Sequence, residues 1–168
     1  MTERPDAGPV EGPVEDAVHS GADPEEVDGR LTLSAPATPE IMDLVHAMLE
    51  QLWTSHTDVS DVDRTRFEMA VVEILGNIVE HAYQLEADLT EGRRRFDVCV
   101  GATDDELVAT FGDDGMPVAL DLSEVGMPDE LAESGRGLAM AAAVVDDLEY
   151  SRSGGRNHWL LRCVRGRG

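Results

Sequence analysis

Apolar side chains recur every three to four residues in three parts of the chain, which is the spacing that predicts amphipathic helices. The first helix is predicted to open at Thr38-Pro39-Glu40, with Thr38 as the N-cap, and to end near Ser55. The second is predicted to start at Ser60-Asp61 and to run to about Tyr83. Its apolar arc is so wide that most of this helix must be buried. The third is predicted over residues 138–148.

Short apolar runs between these helices have the length and composition of β-strands. The predicted order is strand, helix, helix, two strands, long loop, helix, two strands, and the last two strands join at Gly154-Gly155. This order predicts an α+β fold in which helices cover one face of a mixed sheet. The loop over residues 112–136 is long for a compact domain, and loops of that length are usually functional. The predicted strands are 31–33, 95–100, 107–111, 149–151 and 157–164.

The first 28 residues have a different composition from the rest of the chain. They contain nine acidic residues, one arginine, four prolines and no aromatic residue, and Gly8-Pro9-Val10-Glu11 is repeated at once as residues 12–15. Such a segment buries too little apolar surface to offset the entropy of ordering it. We therefore predict a disordered acidic tail over residues 1–28 and one domain over residues 29–168.

The charge of the chain narrows the classes of partner. The formal net charge is −22, from 35 acidic residues and 13 basic ones, all of them arginine. This balance opposes sequence-independent binding to nucleic acid or to anionic membranes and suits a basic partner surface, although solubility alone would also explain it. No apolar run has the length of a signal peptide core or a membrane span. We expect a cytoplasmic protein in which Cys99 and Cys163 are buried, reduced thiols.

Candidate chemistry begins in the second predicted helix. Glu73 lies among apolar neighbours and is suited to act as a general base. Asn77, one helical turn later, offers a neutral carbonyl oxygen to Mg²⁺. By themselves, an acid and an amide four residues apart are more often the polar edge of a helix.

Two glycine-containing segments complete the set of candidates. Asp113 directly follows a predicted strand, and Gly115 allows a close backbone approach, so Asp113 can accept a hydrogen bond from an adenine amino group. Gly135 and Gly137 are predicted to form a turn just before a helix, where backbone amides suit phosphate oxygens, and Arg136 adds a positive charge. Taken singly, these segments would pass for an acidic surface turn and a loop that needs glycine. In this order, the three pieces predict one nucleotide site.

The three pieces resemble the N, G1 and G2 boxes of the GHKL ATP-binding superfamily, which includes gyrase B, the histidine kinases and MutL. More closely, the chain is similar to the small anti-sigma factor serine kinases of the RsbW and SpoIIAB type. The resemblance covers about residues 30–165 and is carried by residues 73–83, 113–117 and 134–150. Pro117, where many superfamily members have glycine, is typical of this branch, as is the run from Gly135 to Leu138 into Val145-Asp146-Asp147-Leu148.

The resemblance implies a Bergerat fold, a two-layer α/β sandwich with a mixed, mainly antiparallel sheet. ATP would lie between the helices and a lid loop, with Mg²⁺ on Asn77 and the adenine on Asp113. Glu73 would orient or deprotonate the attacking Ser or Thr hydroxyl of a protein substrate. The remaining residues implied at the nucleotide site are Gly115, Pro117, Gly135, Arg136, Gly137 and Leu138.

The same resemblance implies partner switching. Relatives hold a sigma factor, or phosphorylate an anti-anti-sigma protein of the STAS type that competes for them, and they are homodimers. This chain departs from some relatives at Glu133, because they carry a basic residue just before the glycines, whereas the arginine here lies between them. The alternative hypothesis is therefore a GHKL-like module that binds ATP or partners without phosphoryl transfer. A third hypothesis is the detached catalytic domain of a sensor histidine kinase. It is weaker, because His46 is the only histidine that could serve as a phosphoacceptor and its predicted helix belongs to no dimerisation hairpin.

Overall fold

The computed structural model describes residue 27 and residues 29–85, 94–118 and 133–166; of residues 81–85 and 133–135 only the helical backbone is described. These residues form five strands and three helices in the predicted order, and the α+β class is confirmed. Of the predicted tail only Val27 is described, and the middle of the predicted long loop lies outside the described residues. The elements are β1 (Leu31–Pro36), α1 (Ile41–Ser55), α2 (Asp61–Leu85), β2 (Arg95–Ala102), β3 (Glu106–Asp113), α3 (Glu133–Val144), β4 (Asp147–Ser153) and β5 (Arg156–Val164).

The five strands form one sheet in the order β1-β2-β3-β5-β4. Every pairing among them is antiparallel. Strands β4 and β5 meet in a tight hairpin, where Gly154 and Gly155 have φ angles of +56° and +83°. Two positive φ angles in a two-residue turn match the right-handed twist of the flanking strands, which explains the glycine pair.

One face of the sheet is apolar and packs against the helices. Successive residues of a strand point to opposite faces, and the register aligns the inward positions of neighbouring strands. Phe111 of β3 pairs with Val98 of β2 and with Trp159 of β5, and all three side chains are at most 2% exposed. Burying a side chain of this size contributes about 1.5–3 kcal/mol relative to leaving it in water.

The start of α1 differs from the prediction by two residues. Thr38 and Pro39 lie in a turn before the helix, and their carbonyl groups accept hydrogen bonds from the amides of Ile41 and Met42 at 3.1 and 3.2 Å. The N-cap position is held by Glu40, which makes no side-chain cap. Pro39 therefore lies just before the helix, in the turn that leads into it, and not at its first helical position.

Helix α2 begins where the sequence predicts. The Ser60 hydroxyl accepts a hydrogen bond from the Asp63 amide at 3.1 Å and donates one to the Asp63 carboxylate at 2.7 Å. The first of these bonds satisfies one of the amides that a helix N-terminus leaves open, and the second holds the hydroxyl in place. The same carboxylate accepts the Gly166 amide at 2.9 Å, so it also joins the helix start to the end of β5.

One residue of the predicted tail is buried against the sheet. Val27 is only 6% exposed, although the prediction places it in the tail. It packs on Gly101 of β2, where a Cβ would lie 2.8 Å from the Val27 Cγ1. The glycine thus makes room for the valine, and the chain is already in contact with the sheet at residue 27.

Both cysteines are free thiols, as predicted. Cys163 is fully buried and Cys99 is half-buried. Burial raises the pKa of the Cys163 thiol to about 11, so the thiol is protonated at neutral pH. In the described part of the chain, no helix combines the length and apolarity needed to cross a bilayer.

Candidate functional site

Glu73 and Gly137 lie against each other where α2 packs on α3. The Arg66 Nε donates a hydrogen bond to the Val144 carbonyl oxygen at 2.8 Å, seven residues before Glu73 and seven after Gly137. The two helices therefore run antiparallel along their contact. A Cβ on Gly137 would overlap the Glu73 Oε2 atom, so the absence of a side chain at residue 137 is what admits the carboxylate.

Helix α3 starts earlier than the sequence predicts. It spans Glu133–Val144, so the predicted glycine turn is wrong in its placement: Gly135 and Gly137 are helical residues. Gly135 is one of the first four residues of α3, and the amides of these four have no partner within the helix. Gly137 is the fifth residue, so its position gives its amide a partner within the helix. Arg136 is exposed on the helix surface, and Leu138 is 1% exposed and part of the core. Val145-Asp146 then turns into β4 rather than continuing the helix.

Asn77 is buried one helical turn after Glu73. It is 7% exposed, and Glu73 is half-buried on the same helix. Among the described residues, the Asn77 side-chain nitrogen has no hydrogen-bond partner. A buried amide without a partner costs free energy, and such groups often face a ligand. Glu73 and Asn77 therefore lie close together, and the Asn77 amide can still form a hydrogen bond beyond those to the described residues.

Asp113 ends β3 on the same sheet face as the core. It is 5% exposed, and its Oδ1 atom accepts two hydrogen bonds of 2.8 Å, from the Gly115 amide and from the Asn157 Nδ2. A Cβ on Gly115 would lie 2.6 Å from that Oδ1 atom. Glycine is thus needed at residue 115 for the close approach of the backbone to the carboxylate. Pro117, two residues on, is exposed.

Three residues of the β4–β5 hairpin hold the segment after Asp113, and none of them is among the site residues that the sequence predicts. Asn157 also donates to the Met116 carbonyl oxygen at 2.9 Å. The Tyr150 hydroxyl donates to the Asn157 Oδ1 at 2.9 Å and accepts the Val118 amide at 3.1 Å. Arg152 donates to the Gly115 carbonyl oxygen at 2.9 Å.

A periodicity signal could have found Asn157. It lies in phase with Trp159, Leu161 and Cys163, which are the inward positions of β5. A polar residue in an otherwise apolar inward series is predicted to be buried, and buried amides require specific partners. In β4, Tyr150 and Arg152 pair with Trp159 and Asn157 and so share the same face.

The residues present fit a magnesium ion bound together with a nucleotide. Among the described residues, no group of three or more His, Cys, Asp or Glu side chains could hold a metal by itself. Magnesium commonly takes only one or two protein oxygens and completes its shell with phosphate oxygens and water. The Asn77 carbonyl oxygen is a ligand of this kind, on a buried amide whose nitrogen has no partner within the part of the chain that the structure describes.

Comparison with known proteins gives one family and one fold. A family model for the histidine kinase-like ATPase domain matches residues 35–163. Among solved structures, the chain is similar to the RsbU and RsbW domains of Rv1364c from Mycobacterium tuberculosis, with 23% identity and a TM-score of 0.57. The match covers 83% of this chain and 33% of that chain, so this chain spans about a third of its neighbour. No curated protein matches the sequence at a significant level.

Proposed function

Because the chain belongs to the histidine kinase-like ATPase family, we propose that it binds Mg·ATP and regulates transcription as an anti-sigma factor with protein serine/threonine kinase activity. It holds a sigma factor, and it phosphorylates an anti-anti-sigma antagonist of the STAS type that releases this factor. The observation that carries the proposal is the placement of Glu73 and Asn77 one turn apart on α2, with the Glu73 carboxylate against Gly137 of α3.

The adenine end of the site rests on Asp113. Its Oδ1 atom is engaged by the Gly115 amide and by Asn157. The Oδ2 atom carries no hydrogen bond from the described residues and can accept the exocyclic amine of adenine. Guanine carries a carbonyl oxygen at that position and would face the carboxylate with a second acceptor. Adenine nucleotides are therefore favoured.

The phosphate end of the site rests on α2 and on the start of α3. Mg·ATP supplies the phosphoryl group, and Asn77 is the residue of this chain that would hold the metal ion. The first turn of α3, which contains Gly135 and Arg136, offers open backbone amides and a positive charge to phosphate oxygens.

Glu73 would act on the protein substrate rather than on ATP. Its carboxylate takes the proton of a Ser or Thr hydroxyl as that oxygen bonds to the γ-phosphorus and the bond to the ADP oxygen breaks. A general base of this kind contributes roughly 10²–10⁴-fold to the rate. The absence of a Cβ at Gly137 leaves the carboxylate room to lie there, and a base needs such room to come within hydrogen-bond reach of its target.

The partners follow from the resemblance and from charge. The similar structure contains a domain named RsbW, the name of one of the kinases that the sequence motifs resemble. A net charge of −22 suits a basic surface on the sigma factor. The proposal includes a homodimer, and Leu44 on α1, which is 55% exposed, is apolar surface available to such an interface.

The test is the variant Glu73→Ala, assayed with labelled ATP and a candidate antagonist protein. We expect calorimetric ATP affinity within about twofold of wild type and phosphoryl transfer reduced by roughly 10²–10⁴-fold. Full transfer by a folded Glu73→Ala protein would contradict the role of Glu73. Binding of ATP by the wild type without any transfer would instead support the alternative, a regulatory module that binds ATP without kinase activity.

A further inference from the structure

Asn157 is a buried amide whose hydrogen-bonding groups are all engaged. It is 2% exposed, and the other inward residues of β5 are apolar. Placing an amide there costs free energy unless its donors and acceptor find partners. An apolar residue at position 157 would pack in the core without this cost. Core packing therefore does not explain why an amide lies there.

The two ends of this amide have different partners, and these partners fix its orientation. Its oxygen accepts hydrogen bonds from the Tyr150 hydroxyl and from Arg152. A guanidinium can only donate, so the amide oxygen must face β4. The amide nitrogen is thereby directed toward the Asp113 Oδ1 atom and the Met116 carbonyl oxygen, at 2.8 and 2.9 Å.

This arrangement determines which oxygen of Asp113 remains open. A carboxylate oxygen has room for about two strong hydrogen bonds. Oδ1 already accepts two, from Asn157 and from the Gly115 amide. The Asn157 bond thus holds the carboxylate plane in place and leaves Oδ2 as the acceptor for a ligand.

The hairpin also holds the backbone that follows Asp113. Arg152 donates to the Gly115 carbonyl oxygen, and the Tyr150 hydroxyl accepts the Val118 amide. Asn157 lies at the centre of these contacts, since it touches Tyr150, Arg152 and Asp113. The carboxylate and the turn after it are therefore positioned by one connected group of side chains.

We propose that Asn157 is a positioning residue for base selection: it orients the Asp113 carboxylate so that the site prefers adenine over guanine nucleotides. The proposal rests on the proposed function, because it assumes that the ligand is a purine nucleotide read by Asp113. It assigns the selectivity to a pair of residues on β3 and β5 rather than to the aspartate alone.

The first experiment compares affinities for the non-hydrolysable analogues of Mg·ATP and Mg·GTP by calorimetry. The variant Asn157→Asp keeps the size of the side chain, replaces the donor that faces Asp113 by a carboxylate oxygen, and so adds a like charge beside the Asp113 carboxylate. We expect the preference for the adenine analogue to fall by on the order of tenfold or more, because a hydrogen bond to a charged group is lost and repulsion turns the Asp113 carboxylate away from its present orientation. The matched control is His158→Ala, the next residue of β5, which is exposed on the opposite sheet face and should leave the preference unchanged.

The second experiment is a double-mutant cycle with Asp113→Ala. If Asn157 acts through Asp113, Asn157→Asp changes the preference by less than about twofold once Asp113 is gone. Equal loss of affinity for both analogues, or full additivity of the two substitutions, would show a merely structural role and overturn the proposal.

A variant on the supporting residue covers the case in which Asn157→Asp does not fold. Tyr150→Phe removes only the hydroxyl that fixes the amide, and it should lower the same preference by a smaller factor; an unchanged preference would contradict the proposal. Failure of the wild type to bind either analogue would overturn the proposed function itself, and this inference with it. Wild-type binding with a preference that Asp113→Ala abolishes and the Asn157 and Tyr150 variants leave intact would overturn this inference alone.

Discussion

The substitution Gly137→Ala should separate activity from stability in this protein. Gly137 is a helical residue without a positive φ, so alanine suits its backbone. Replacing a glycine inside a helix by alanine stabilises the fold by about 0.8–1 kcal/mol. The new methyl group, however, would overlap the Glu73 Oε2 atom.

The outcome depends on which group moves. The Glu73 carboxylate is the end of a flexible side chain, and moving it off its preferred rotamer costs about 0.5–1.5 kcal/mol. That cost offsets the gain in helix propensity, so the melting temperature should change by no more than a few degrees. A catalytic group displaced by about 1 Å can lose roughly 10²-fold in rate, and phosphoryl transfer should fall by about that factor.

The matched control is Gly76→Ala in α2. A Cβ at residue 76 meets nothing within 4 Å, so the same helix propensity is gained without contact with Glu73. We expect this variant to melt about 2–5 °C higher and to keep its phosphoryl transfer. Transfer is measured with labelled ATP and stability by thermal unfolding. Wild-type transfer in a folded Gly137→Ala protein would refute the reasoning that the glycine positions the carboxylate.

Four further outcomes are expected. Asn77→Ala should weaken ATP binding in calorimetry with Mg²⁺ and leave it unchanged without the metal; equal loss in both conditions would count against a metal ligand. The Gly166 amide, followed by the Ser60 hydroxyl and Arg66, lowers the pKa of Asp63, so this carboxylate stabilises the fold above its unfolded pKa of about 3.9 and the benefit is lost as pH falls through the folded pKa. Asp63→Asn should therefore cost about 1.5–3 kcal/mol near pH 7 in denaturant unfolding and progressively less under acid conditions. Deleting residues 1–26 should leave stability and ATP binding intact, whereas deleting residues 1–28 also removes buried Val27 and should cost about 1.5 kcal/mol; a large loss from the shorter deletion would show that the tail packs on the domain. The proposed homodimer should be favoured by salt, because screening weakens repulsion between chains of net charge −22, and a monomer mass in light scattering at both low and high salt would exclude it.

The apolar periodicity predicted the helices and strands well because burial decides both. The apolar residues of α2 share one side only if the segment is a helix, and those of β5 share one face only if the segment is a strand. The start of α3 was placed wrongly because two of its first five residues are glycines and these five residues carry no apolar stripe. Helix formation there follows from packing against α2, including the place of Glu73 beside Gly137, which no local pattern reports.

The candidate site was predictable in its parts and not in its connections. Each acid or amide stood out by its spacing, and the order of the three pieces carried the resemblance. The contact between Asn157 and Asp113 joins residues 44 positions apart. It depends on the register between β3 and β5, which sequence periodicity leaves undetermined.

The glycines at residues 115 and 137 share a role that differs from the one their positions in the sequence indicate. Neither has a positive φ, in contrast to Gly154 and Gly155, so neither is needed for a left-handed turn. At each, a Cβ would overlap a carboxylate oxygen, that of Asp113 or that of Glu73. Glycine at each position thus leaves room for an acid of the proposed site, and the Gly115 amide also donates a hydrogen bond to Asp113. It follows that alanine at either position would act first on the placement of an acid and only then on the fold.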